Sequence, residues 1–310
     1  MAKLSVVETI ELPSGGSATI QRWRFGRVGG AHMVVVAGIR GDTPEGVRVA
    51  FHLIATLKNL EPHLLGSVDV YPCVNPLAAE QGQRLWPFFG VDLNRLFPGK
   101  ANGHPPYRIA HRLVKQIREH PEPMVVELRG ARPAFAEIPQ ALVRHGDSQA
   151  IGLAENANIQ LVWQRRLGPA AAGTFAYQFP HTVVLEGGRG NRLSTDVGQV
   201  LHDGLCNLLC VQGILPEDAL PFHWASIERP AVVDDEHIVR VQATASGLFL
   251  PCVELNQKLE QGERIGTIMN PTSGEILKEI CVSRKGRVIA LREVPVVSLG
   301  MMVARILAEV

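Results

Sequence analysis

The sequence predicts an α/β fold, a sheet covered by helices on both faces, followed by a small all-β unit. Two observations carry this. Up to about residue 221, short apolar runs rich in β-branched residues alternate with stretches of helical periodicity. Beyond it the helical periodicity fades, and glycine-punctuated β-like pieces take over. The expected division is residues 1–221 and 222–310.

The first strand is the run Met33-Val34-Val35-Val36, continuing through Ala37 to Ile39. A helical pattern follows from Pro44 to Leu60, and then the strand-like "SVDVYPCVNP". "PYRIAHRLVKQIREH" places Ile109, Leu113 and Ile117 on one helical face. Next come "PMVVEL" and "QALVR", a helix in "SQAIGLAENA", then "IQLVW" and "HTVVLEGG". A long helix closes the region around Cys206. Nearly continuous apolar runs such as Met33–Val36 suit strands buried on both faces. The later pieces, "IVRVQATASGLFLP", "RIGTIMNP", "RVIAL" and "VVSL", are separated by glycines, among them Gly247, Gly262, Gly266, Gly274, Gly286 and Gly300. Their texture resembles a biotinyl/lipoyl-type hammerhead barrel. Lys285 is the lysine at a plausible turn there, but the hairpin-tip context of a carrier lysine is missing, so a solvated turn lysine is expected.

Composition narrows the function classes. The chain has 310 residues, 46% of them hydrophobic, enough for one large core and one small one. Thirty-one basic residues against thirty acidic ones leave a net charge of +1, so nothing global favours nucleic acid or an anionic membrane. "MAKLSVVETIELPSGG" has no apolar signal core, and no apolar run is long enough to span a bilayer, so a soluble, cytoplasmic protein is expected. Five widely spaced cysteines do not make a disulfide framework. His202, Cys206 and Cys210 share one helix face, but both cysteines fall at apolar positions and no fourth ligand is near, so a packing role is expected.

Four stretches carry the chemistry: "AGIRGDTPEG" from Ala37 to Gly46, "VDLNRLFPG" from Val91 to Gly99, "VVELRGARP" from Val125 to Pro133, and "VVLEGG" from Val183 to Gly188. With Asn75-Pro76 and Arg84 in order between them, they resemble the succinylglutamate desuccinylase/aspartoacylase branch of the zinc carboxypeptidase (M14-like) family. The resemblance extends over most of residues 30–215, and the C-terminal β unit also fits. It implies a zinc-carboxypeptidase-like mixed sheet flanked by helices.

By the same resemblance, the positions of the family's three zinc ligands hold Arg40, Thr43 and Arg129. Arginine has no acceptor lone pair and stays protonated. Neither guanidinium can replace an imidazole, and one neutral hydroxyl is a poor zinc ligand. The nearby carboxylates Asp42, Glu45 and Glu127 face two cations that oppose any metal, so no metal or cofactor is expected. Glu127 matches an acid that would orient a ligand histidine; with none present, it is expected to pair with an arginine.

Arg84, Asn94 and Arg95 match residues that hold substrate carboxylates, and Glu186 matches the general base. Asn94 and Arg95 could instead tie a loop together. Glu186 stands equally as a base and as counter-ion to Arg40 or Arg129.

The leading expectation is a metal-free, catalytically silent relative. It would bind an acidic small molecule, a carboxylate or oxyanion, or serve as a non-catalytic subunit beside an active paralogue or a second copy. The alternatives are a deacylase or amidohydrolase acting on N-acyl amino acids without metal, with Glu186 as base, and one with an unrecognised zinc site.

Overall fold

The computed structural model describes residues 2–13, 15–27, 29–220 and 230–309. The chain opens with an antiparallel hairpin, β1 (Lys3–Glu11) and β2 (Ser17–Gly26), to which the sequence analysis assigned no element. The alternating core then runs β3 (His32–Ala37), α1 (Pro44–Leu60), β4 (Ser67–Tyr71), the short α2 (Pro76–Glu80), α3 (Pro105–Ile117) and β5 (Met124–Leu128). It continues with β6 (Phe135–Arg144), α4 (Ser148–Asn156), β7 (Leu161–Arg165), β8 (Val183–Arg189) and α5 (Thr195–Val211). Every strand and helix expected between Met33 and Leu215 is present, with ends shifted by a few residues.

The C-terminal part is all β. Its strands are β9 (Ala231–Asp234), β10 (Ile238–Gln242), β11 (Gly247–Pro251), β12 (Lys258–Leu259), β13 (Arg264–Met269), β14 (Ile276–Cys281), β15 (Gly286–Arg292), β16 (Val296–Val297) and β17 (Met302–Ala308). The division expected at 221/222 falls on residues outside those described. On either side of it the two parts share one mixed sheet, in the order β1-β2-β4-β3-β5-β8-β6-β15-β17-β10. Strand β6 branches. Its first residues pair with β15, and its last five pair with β7, which in turn pairs with β9. A second sheet, β14-β13-β11-β16, completes the C-terminal unit around its own core of Val241, Phe249, Ile265, Ile268, Val288 and Ile306.

Strand β3 shows why the centre is parallel and apolar. Met33, Val35 and Ala37 pack into one core with Val49, Leu53 and Leu57 of α1 and Leu201 and Leu205 of α5. Val34 and Val36 pack into the other core with Ile109, Leu113 and Ile117 of α3. Both faces of the strand are buried, so neither tolerates a polar side chain. Each fully buried aliphatic side chain contributes about 1.5–3 kcal/mol. Pro44 begins α1, where its missing N–H costs nothing. Asn75 caps α2, accepting from the Ala78 N–H at 3.2 Å, with Pro76 at the first helical position. The Asn75-Pro76 pair is therefore a helix start. No helix among the described residues is long and apolar enough to cross a membrane.

The Ile39–Thr43 turn lies against the backbone of α2. A Cβ on Gly41 would enter the carbonyl group of Ala78. Neither backbone can yield without moving the turn. Gly152, inside α4, has open space where a Cβ would go. Gly41→Ala should therefore destabilise the protein by about 1–3 kcal/mol. Gly152→Ala should stabilise it by about 0.5–1 kcal/mol, since alanine is the better helix former. Denaturant unfolding of the two variants checks both signs.

Candidate functional site

Strands β3, β5 and β8 run parallel, and an open α/β sheet presents its chemistry beyond such carboxyl ends. Arg40 lies just past β3, Arg129 just past β5, and Glu186 in the last part of β8. The Arg40 guanidinium forks onto Asp42, with Nε donating to Oδ1 at 3.0 Å and a terminal N–H donating to Oδ2 at 2.8 Å. Thr43 turns back, its hydroxyl donating to the Arg40 carbonyl at 3.0 Å. Arg129 forks onto the buried Glu127 at 2.6 and 2.7 Å. Burial works against the charge of Arg129, but Glu127 outweighs it, helped by Glu186 and Asp92, so its pKa rises above the ordinary arginine value. Such parallel two-bond forks are the strongest arginine–carboxylate geometry.

The "DLNR" turn supplies the next wall. Asp92 accepts from the Asn94 N–H at 3.0 Å and holds Arg84 at 2.6 and 2.9 Å. Asn94 is buried, and its side-chain carbonyl accepts from the Phe175 N–H at 2.8 Å. That bond fastens the loop after β7 to the turn, so Asn94 does tie a loop. Gly173 allows the close approach, since a Cβ there would enter the Arg95 carbonyl. Arg95 donates to the Asn94 carbonyl at 3.1 Å.

These elements enclose a cavity of about 360 Å³. Arg40, Arg84, Asn94, Arg95 and Arg129 all line it, so one cleft brings together five of the six sequence candidates. The sixth, Glu186, is buried outside the lining. It accepts from the Gln140 side chain at 3.0 Å and lies 3.9 Å from an Arg129 nitrogen. Glu45, weighed as a substitute ligand, is buried between Arg48 and the Ser194 N–H and ties α1 to the start of α5.

The cavity also has lining that sequence reasoning missed: Arg144 at the end of β6, Arg165 and Arg166 at the end of β7, Asp147 and His181. The available signal was a strand ending in arginine in "QALVR" and in "LVWQRR". Their convergence depends on β6–β7 pairing, which sets Arg144 opposite Arg165. Arg165 is held by Asp235 at 3.0 Å and lies over the Trp163 ring. Arg166 pairs with Glu236 at 3.1 Å. Among the described residues, Arg95 and Arg144 are the lining arginines with no carboxylate partner in an ion pair.

The donor set at the tips of β3 and β5 does not fit zinc. The side chains there are two guanidiniums, and the carboxylates beside them are already forked onto those guanidiniums. Among the described residues, one group of three potential ligands sits close enough for a metal, His32, Asp69 and His120, and it lies toward the other end of β3. Arg24 holds both oxygens of Asp69 at 2.6 and 2.7 Å, and the two imidazoles stack 3.8 Å apart. A fixed cation fills that site. His202 bonds Thr56 at 2.9 Å and stacks on His52, while burial pushes the Cys206 thiol up to about 12 and the Cys210 thiol up to about 11. Those thiols remain protonated near neutral pH and pack as small apolar groups. Lys285 pairs with Glu260 at 2.8 Å on the surface.

A profile of the succinylglutamate desuccinylase/aspartoacylase catalytic domain matches residues 29–210. The chain belongs to this family. No curated protein sequence matches it significantly. Solved structures of similar fold include a succinylglutamate desuccinylase/aspartoacylase from Rhodobacter sphaeroides, with a TM-score of 0.81 and 22% identity over 96% of this chain and 91% of that one. The product-bound ectoine utilization protein EutE (DoeB) of Ruegeria pomeroyi has a TM-score of 0.82 and 20% identity over 97% and 93%. A succinylglutamate desuccinylase from Silicibacter sp. TM1040 has a TM-score of 0.83 and 19% identity over 98% and 93%. At these identities the shared property is the fold.

In this family member a buried charge cluster joins the site to the C-terminal strands. Glu137 of β6 lies 3.5 Å from Arg305 of β17 and 3.7 Å from Arg132. Its second oxygen and the Arg305 Nε are buried without a partner among the described groups. Burial, reinforced by the charge of Glu186, raises the Glu137 pKa from the ordinary 4.5 to about 7, against the pull of Arg132 and Arg40. A raised carboxyl pKa means stability that is full below the unfolded value and lost as pH climbs through the folded one. Wild type should therefore lose stability between about pH 4.5 and pH 7, an increment absent in Glu137→Gln. Urea unfolding of both proteins across that range measures the difference.

Proposed function

We propose that the protein is a metal-free, catalytically silent member of the family that binds an acidic small molecule in the arginine-lined cavity. One observation carries the reading. At the positions that the family resemblance assigns to zinc ligands, Arg40 and Arg129 project guanidiniums, each locked by a two-bond fork to its own carboxylate. Arginine offers a metal no lone pair, and Thr43 directs its hydroxyl into the Arg40 carbonyl. Glu186 is engaged by Gln140 and stands near Arg129, which supports its role as counter-ion over that of base.

Charge accounting favours an anion as the ligand. Asp42, Asp92, Glu127, Asp235 and Glu236 balance Arg40, Arg84, Arg129, Arg165 and Arg166. Arg95 and Arg144 remain to meet an incoming negative group. A carboxylate or oxyanion there would gain charge-assisted hydrogen bonds inside a partly enclosed cleft.

Protein purified without chelator should contain far less than one zinc per chain by elemental analysis. Stoichiometric zinc would overturn the metal-free assignment. Hydrolysis of N-acyl amino acids should not exceed that of a Glu186→Gln variant, and a clear excess would favour metal-free catalysis.

Ligand binding has its own readout. In a thermal-shift panel of citrate, succinate, N-acetylaspartate, glutamate, phosphate and sulfate, at least one compound should raise Tm, rising with the logarithm of its concentration above saturation. Arg95→Ala should remove most of that rise. Equal stabilisation of wild type and variant would sink the anion-cavity reading.

A further inference from the structure

The cavity does not stop at the arginines around Arg129. It continues along one face of β8 and β6, where Leu142 and Val184 are buried, and the strand register measures how far. Gln140 pairs with Glu186 and Leu142 with Val184, so the next step of the same antiparallel ladder sets Arg144 level with Thr182. Arg129 sits at the other end, its N–H bonded to the Leu185 carbonyl. From the Glu186 level to the Thr182 level is four residues, about 13 Å at roughly 3.3 Å per residue. Leu142 and Val184 line the cavity between the two levels. Phe179 and Ala176 add further apolar lining. One cleft thus has a basic end, an apolar stretch and a second basic end.

The second end has the features of an anion seat. Arg144 and Arg165 are register partners on neighbouring parallel strands, and like charges directly opposite one another repel. Arg165 is tied to Asp235 and lies over the Trp163 ring. Burial lowers its pKa despite the pull of Asp235. Among the described residues, Arg144 has no carboxylate partner in an ion pair. It lies over the Tyr177 ring, 4.8 Å from the centroid, and donates to the Tyr177 carbonyl at 3.4 Å. Asp147, the acid lining this end, is already engaged by the Ala150 N–H at 3.0 Å and by His181 at 2.7 Å.

We propose that Arg144, supported by Arg165, forms a second anion-binding end, so that the cavity selects linear dianions whose two charges are separated by an apolar spacer. The inference rests on the reading of the cavity as an anion site and deepens it. Short dianions reach only one end. A monoanion of matching length fills the apolar stretch and leaves Arg144 unpaired. A dianion of matching length engages Arg95 and its neighbours at one end and Arg144 at the other.

Isothermal titration at fixed ionic strength with succinate, suberate, butyrate and octanoate tests this on wild type, Arg95→Gln, Arg144→Gln and Arg144→Lys. Suberate should bind wild type about tenfold or more tighter than either octanoate or succinate. Arg144→Gln should bring suberate down to the octanoate level, and Arg144→Lys should restore part of the difference. Arg95→Gln should weaken all four compounds. Arg144 is exposed, so the unliganded Tm of its variants should match wild type, which separates loss of binding from loss of fold. If short carboxylates bind through Arg95 but suberate has no advantage, or keeps its advantage in Arg144→Gln, the second end is wrong and the anion cavity stands. If no compound binds wild type, both fall together.

Discussion

Strand β6 is held by three neighbours, and its register decides where the rest of the site falls. Along one edge it pairs antiparallel with β8, and along the other its first residues pair with β15 and its last with β7. The ladder with β8 shifts between Glu137 and Gln140, around Pro139. Proline has no N–H for a ladder, so an irregular step is the place in a central strand that accepts it. Gly187, with φ of +159°, lies against Pro139 across that step. The shift sets Gln140 beside Glu186, Leu142 beside Val184, and Arg144 beyond. Slipping β6 by one residue would turn Leu142 and Arg144 to the opposite face of the sheet.

The same strand joins the two parts of the molecule. Ala290, Leu291 and Arg292 of β15 pair with Glu137, Ala136 and Phe135, and Ile138, Leu142, Trp163, Val184, Ile238 and Ile289 fill the seam with apolar contact. Arg305 brings a buried charge into that seam, close to Glu137 and above the Trp163 ring. Buried ion pairs contribute little net stability, because desolvation offsets most of their attraction. The seam is therefore held by strand pairing and packing.

Guanidinium–carboxylate pairs recur around the site, several between residues close in sequence: Arg40 with Asp42, Arg84 with Asp92, Arg129 with Glu127. Local pairing lets several arginines crowd one cleft without bringing their acids from distant elements. It also means that removing one arginine strands one identifiable carboxylate. Arg165 and Arg166 instead draw on Asp235 and Glu236, far along the chain, and among the described residues the lining Arg95 and Arg144 have no carboxylate partner in an ion pair.

The sequence by itself determined the alternating core. Its strands are apolar on both faces, as in Met33–Val36, and its helices carry one apolar stripe, as in Ile109, Leu113 and Ile117, so local pattern and global burial agree. It also singled out five of the residues that line the cavity. Arg40, Arg84, Asn94, Arg95 and Arg129 lie in motifs at strand ends and turns, and the fold carries such positions into one cleft. The hairpin of β1 and β2 was not assigned, and β9, β12, β14 and β17 were not picked out among the later strands. The roles of Asn94 and Glu186 stayed open because each turns on a partner far away in sequence, Phe175 for one and Gln140 for the other. Arg144 and Arg165 were invisible for a related reason. Each reads as a charged residue ending a strand, and only the pairing of β6 with β7 and β8 sets them beside each other and over the apolar strip. Register between strands is a long-range choice, fixed by which faces must be buried against which neighbours. Tertiary structure alone made that choice.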